Sequence, residues 1–123
     1  MNDLDIFQYS VAQLDEFEWG DKKLVISKNV EEAVNNYIFY GYDPGKFTLA
    51  VLTNDLKTAV RTADHVNIKM LPEIVNTMDL FLPLESWGNK QAYTNWLTDV
   101  DERRSKFKEA FEKKQMWKKL STV

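Results

Sequence analysis

The sequence predicts an all-α fold: a compact single-domain bundle of five or six helices with a charged C-terminal helix. Three observations carry that expectation. Apolar residues recur at steps of three and four along most of the chain, which is the spacing of one helix face. Pro44, Pro72, Pro83 and Gly88 punctuate residues 43–96 and leave hardly any spare loop between helical segments. The β-branched stretch Lys23–Ser27 has no evident partner strand, so it reads as an extended connector.

The elements follow in order. Leu4, Phe7, Val11, Leu14 and Phe17 predict a helix over 2–18, ended by Trp19-Gly20-Asp21, with acidic residues on its outer face. Ser27 or Asn29 caps the next helix, which carries Glu31 and Glu32 in its first turn. Val30, Ala33, Val34, Tyr37 and Ile38 line its apolar side, and Gly41 closes it. Asp43-Pro44 reads as a cap followed by proline at the first helical position. Phe47–Leu52 is apolar nearly all round, so it is expected at the centre of the bundle.

Asn54-Asp55 offers another cap, and Leu56, Ala59, Val60, Ala63 and Val66 recur at helical spacing. Leu71-Pro72-Glu73 reads as a fresh start, with Ile74, Val75, Met78, Phe81 and Leu82 as the buried stripe and Pro83 as the stop. Trp87-Gly88-Asn89 is a turn before a helix from about Lys90, with Ala92, Tyr93, Trp96 and Leu97 inward. From Asp101 onward the chain has strong helical propensity, with Phe107, Ala110, Phe111 and Trp117 as a narrow apolar seam. These elements form one domain: an acidic N-terminal helix and connector over 1–28, core helices over 29–99, and a basic amphipathic helix over 100–123.

Composition excludes several functions. The chain of 123 residues has no Cys, so disulfides, thiolate metal sites and cysteine nucleophiles are ruled out. The acidic opening MNDLDIF lacks the basic region of a secretory signal, and no apolar run reaches the roughly 20 residues that a membrane span needs. A cytoplasmic protein is expected. The net charge of −3 conceals an asymmetry: residues 1–21 hold six acids and no Lys or Arg. Residues 103–119 hold eight bases against Glu109 and Glu112. Opposite-signed ends attract each other within a monomer or between subunits, or serve separate partners. A homo-oligomer is therefore compatible with the sequence.

Catalytic chemistry finds little support. His65 is the sole histidine, which excludes a two-histidine metal site. Beside Asp64 or Asp55 it is a conceivable general base, but its helical angle opposes the Leu56–Ala59–Ala63 stripe, and a solvated surface residue is the expectation. Asp99, Asp101 and Glu102 lack calcium-loop spacing, and Gly41-Tyr42-Asp43-Pro44-Gly45 lacks the ending of a phosphate loop. No cofactor, no metal and no enzymatic activity are expected. The basic interleaved tail, Arg103–Lys119, fits a partner protein or nucleic acid, although residues 1–102 carry −9 and would repel phosphates.

The elements Pro44-Gly45-x-Phe47, Ala50-Val51-Leu52-x-Asn54-Asp55-Leu56, Ala63-Asp64-x-x-Asn67, Leu71-Pro72, Trp87-Gly88 and Trp96-Leu97 together resemble a family of small, mostly uncharacterised helical proteins. That family is carried by bacteriophages, prophages and mobile elements. The resemblance spans residues 30–97 and brings no catalytic residues. It implies a phage setting, and hence a non-enzymatic binding protein that modulates a host process such as defence. Such a protein would mask a host protein or sequester a small anionic signalling molecule. Polar and aromatic residues at helix ends within the segment nominate Asn54, Asp55, Arg61, Asp64, Asn67, Lys69 and Trp87 as ligand or partner contacts. The alternative is a nucleic-acid-associated regulator using the basic helix, and a virion component is a further reading.

Overall fold

A computed structural model describes residues 4–7 and 26–121, with side chains to residue 114. Among these residues there are six α-helices and no strand: α1 (Lys28–Tyr40), α2 (Lys46–Leu52), α3 (Leu56–Thr62), α4 (His65–Phe81), α5 (Lys90–Leu97) and α6 (Arg103–Ser121). Single 3₁₀ turns at Leu84–Ser86 and Val100–Glu102 precede α5 and α6. The all-α fold is the one the periodicity predicts.

Local hydrogen bonds set most boundaries. The Ser27 hydroxyl accepts from the Val30 amide and caps α1. At the other end Gly41, at φ 67°, donates to the Tyr37 carbonyl, and the Tyr42 amide reaches Asn36. Asp55 caps α3 by accepting from the Thr58 amide, Asp64 caps α4 through the Asn67 amide, and Asn89 caps α5 through the Ala92 amide. The Asp99 carboxylate accepts from the Arg104 and Ser105 amides and from the Ser105 hydroxyl, which starts α6. Asp99 itself holds a left-handed φ of 52°, a cost that these bonds offset.

The core gathers round α1. Val34, Tyr37, Ile38 and Phe39 are enclosed, together with Leu52 of α2, Ile74 and Met78 of α4, and Trp96 of α5. The buried polar ends find partners: the Trp96 indole donates to the Ile38 carbonyl at 3.0 Å, and the Tyr37 hydroxyl donates to the Ser86 carbonyl at 2.7 Å. Phe107 and Phe111 of α6 lie 6.0 and 4.9 Å from the Phe39 ring, which lays the basic helix across α1.

Several expectations are corrected. Residues 4–7 form an irregular stretch and a turn instead of part of a 2–18 helix, although Leu4 and Phe7 are buried as expected; residues 8–25 lie outside the described residues. Asp43 does not cap a helix at Pro44. Its carboxylate accepts from the Gly45 amide in a local turn, and α2 begins at Lys46 because Gly45, at φ 85°, breaks the helical path. Thr48, Ala50, Val51 and Leu52 are buried and Phe47 and Leu49 half-buried, so the Phe47–Leu52 helix is largely enclosed as expected, while α1 supplies more of the fully buried side chains.

The Leu56–Val66 pattern is two helices, because Ala63 and Asp64 are extended and Asp64 caps a new one. Pro72 starts nothing: it lies inside α4. Both Pro72 and Ile68, whose carbonyl loses its helical donor to the proline, are exposed. Val75 and Ala110 face outward, unlike their neighbours in the predicted stripes. The Trp117 side chain lies outside the described residues.

Candidate functional site

The site begins with a tight turn. The Asp55 amide donates to the Ala50 carbonyl at 2.8 Å and the Asn54 amide to Val51 at 3.2 Å, with Asn54 at φ 62°. Asparagine is among the few residues that tolerate this left-handed conformation. The turn folds α3 back along α2. Ala59, small and buried, lies at the contact.

Of the residues of α3, only Ala59 is buried. Leu56 is left 68% exposed and Val60 49%. Near Leu56, α4 leaves Val75 39% exposed. A hollow of about 60 Å³ lies between, with Ala50, Val51 and Ala59 in its lining, Leu56, Leu71 and Val75 around it, and Trp87 from the turn after α4. Asn54 and Asp55 also line it. Hydrogen bonds from Thr58 hold the Asp55 carboxyl below the usual carboxylate range, with lesser help from Arg61 and Lys57. The mouth therefore carries a lasting negative charge beside an apolar floor.

Of the seven nominated residues, the structure brings Asn54, Asp55 and Trp87 to this hollow. Arg61 and Lys69 are exposed and do not line it. Asp64 and Asn67 work together at the start of α4, where Asn67 is buried and its side-chain oxygen accepts from the Ser27 hydroxyl at 3.0 Å. That bond joins the beginnings of α1 and α4. His65 is exposed. Among the described residues no group of three or more His, Asp and Glu is placed to hold a metal ion.

A second cleft, of about 460 Å³, opens between the 4–7 segment and α1. Asn35 anchors that segment: its oxygen accepts from the Ile6 amide and its nitrogen donates to Asp5. Burial, then the neighbouring Asp5 carboxyl and Glu32, push the Glu31 carboxyl above its ordinary value, with Lys28 opposing. Sequence reasoning missed this cleft because Asp5 and the 31–36 turns meet only through a contact about thirty positions apart in the chain. It also missed the hollow's rims. Leu56 and Val75 fit helical stripes, and periodicity says nothing about whether a neighbour covers a stripe.

The basic helix spends much of its charge within the molecule. The Arg104 guanidinium donates to the Trp96 and Leu97 carbonyls, at 2.9 and 2.8 Å, at the end of α5. Lys113 pairs with Glu109 at 3.3 Å, and Lys108 lies 4.6 Å from the centre of the Tyr40 ring and 3.9 Å from Glu112. Arg103, Lys106 and Lys114 remain exposed. No helix among the described residues is long and apolar enough to cross a membrane. Comparison of the chain with protein-family models, curated proteins and solved structures finds no match.

Proposed function

We propose that this chain is a non-enzymatic binding protein of phage type that modulates a host process by masking a host protein, with the hollow between α2, α3 and α4 as its docking point. The observation that carries this reading is the uncovered apolar pair Leu56 and Val75 around a preformed hollow, rimmed by Asn54, Asp55 and Trp87. Apolar side chains around a concavity with a few polar groups at its edge are what a partner's anchor residue requires. The resemblance of residues 30–97 to phage and mobile-element proteins supports the setting.

Size and charge favour a protein target over a small signalling molecule. The hollow is far smaller than the roughly 300–1,000 Å³ of sites that enclose small ligands. The larger cleft carries Asp5, Glu31 and Glu32 against Lys28 and repels an anion. Engagement of Arg104, Lys108 and Lys113 within the molecule weighs against the nucleic-acid alternative.

The reading is tested by affinity capture from host lysate with quantitative mass spectrometry. Wild type and Lys106→Glu should retain the same host protein, and Leu56→Asp and Val75→Asp should lose it. Retention by both hollow variants, with loss on Lys106→Glu, would turn the assignment toward the basic helix.

A further inference from the structure

A second oddity lies near the hollow in the chain. Leu84, at 81% exposure, is the most exposed of the large apolar side chains among the described residues. It does not hang on a loose loop. Its 3₁₀ turn is fastened from below by the Tyr37 hydroxyl on the Ser86 carbonyl, by the Ser86 hydroxyl on the Pro83 carbonyl, and by the Gly88 amide on the Leu52 carbonyl at 2.7 Å. Ser86 is fully buried, and Trp87, next in the chain, lines the hollow. A rigidly presented apolar knob therefore stands three residues from an uncovered apolar hole.

We infer that, without a target, the hollow is closed by Leu84 of a second copy, reciprocally, in a two-fold dimer. The inference rests on reading the hollow as a docking point and names its resting occupant. A knob and a hole on the same part of one chain are what an isologous contact requires, since each copy gives what the other takes. The dimensions suit the tip of the knob: about 60 Å³ takes roughly two groups the size of a water molecule, which matches the two methyls of a leucine, with the rest of the side chain at the mouth.

Charge agrees as well. Glu85, exposed, follows the knob; Lys57 and Arg61, both exposed, stand on the helix that carries Leu56. A reciprocal pair brings the anion beside each knob toward the cations beside each hole, twice per dimer. Asp55, at the same rim, keeps its negative charge while accepting from Thr58 and opposes Glu85, but Lys57 and Arg61 outnumber it. Because the knob is held by its turn before contact, little side-chain or loop ordering opposes docking.

Sedimentation velocity over a concentration series tests this on the full chain, with helical circular dichroism as the check on folding. Wild type should show a reversible monomer–dimer equilibrium. Leu84→Asp and Leu56→Asp should each weaken it at least about tenfold, the loss expected for one buried leucine. A mixture of the two variants should recover part of the association, because each mixed pair keeps one intact knob and one intact hole. Glu85→Lys should weaken the dimer, and adding Lys57→Glu with Arg61→Glu should restore it. A wild type that stays monomeric throughout, or a dimer indifferent to Leu84→Asp and Leu56→Asp, overturns the inference. A monomer that still captures its host target through Leu56 and Val75 overturns the self-docking while leaving the proposed function standing.

Discussion

The guanidinium of Arg104 lies directly over Gly41, so close that a Cβ at Gly41 would come within 1.8 Å of Nη1. The glycine thus does two things. It takes the left-handed φ of 67° that ends α1, and it leaves the space through which Arg104 reaches the Trp96 and Leu97 carbonyls. One missing side chain lets α1, α5 and α6 meet.

Gly41→Ala should therefore destabilise the fold by at least about 2 kcal/mol, combining the left-handed penalty with displaced charge-assisted hydrogen bonds. Chemical denaturation measures this, and a double-mutant cycle separates the parts. In an Arg104→Ala background the clash is gone, so Gly41→Ala should cost only the backbone penalty, about 1–2 kcal/mol. Equal costs in both backgrounds would show that the close approach has no energetic consequence.

The two sides of the α2–α3 pair should respond in opposite ways. Leu52 is fully buried, and Leu52→Ala should cost about 2–5 kcal/mol through lost burial and a cavity. Leu56, only four residues on, is mostly exposed, and Leu56→Ser should stay within about 0.5 kcal/mol. Urea melts of the two variants check the contrast. At concentrations where the chain is monomeric, a large loss at Leu56 would mean that a neighbour covers it in the folded chain.

Acid and base limbs of the stability profile should be separable. The folded Glu31 carboxyl titrates above its ordinary value of 4.5, so the folded state binds its proton more tightly than the unfolded state does. Its favourable contribution is complete below 4.5 and is lost as pH rises through the folded value. The Asp99 carboxyl, lowered by the Ser105 hydroxyl and then by the Ser105 and Arg104 amides, behaves in the opposite sense. Its contribution is present above 3.8 and is lost as pH falls through the folded value. Glu31→Gln should flatten the decline above 4.5, and Asp99→Asn should flatten the acid limb. Denaturation midpoints across pH, with carboxyl titration by NMR, measure both.

What the sequence made legible was local. Ser27, Gly41 and Asp55 end or begin helices through bonds to residues within about one turn, and short-range spacing reveals such bonds. Pro72 was misleading because proline in a first turn and proline on a solvent-facing interior turn have the same neighbours in sequence. The choice between them was made by Asp64, eight positions earlier. The exposed pair Leu56 and Val75 lay beyond reach for a different reason. A helical stripe predicts a buried face only where some other element arrives to bury it, and in α3 only Ala59 is buried. Asn54, Asp55 and Trp87 could be nominated as helix-end residues, but their meeting depends on the α4 crossing that brings position 87 back to position 54.

Asn67 distinguishes a partner contact from an internal brace. It is 7% exposed, its amide takes the Asp64 cap, and its side-chain oxygen accepts from the Ser27 hydroxyl, which itself caps α1. Removing the side chain strands a half-buried hydroxyl and unlinks two helix starts. Asn67→Ala should therefore lower stability by about 1–3 kcal/mol. Ser27→Ala should cost about 1 kcal/mol as a lost cap, and the double variant should cost less than the two together, since one bond is being counted twice. Host-target capture, measured below the melting transition, should be unchanged by Asn67→Ala. A variant of wild-type stability that no longer captures the target would instead return Asn67 to the binding surface, and would require α4 to open at its first turn when the partner docks.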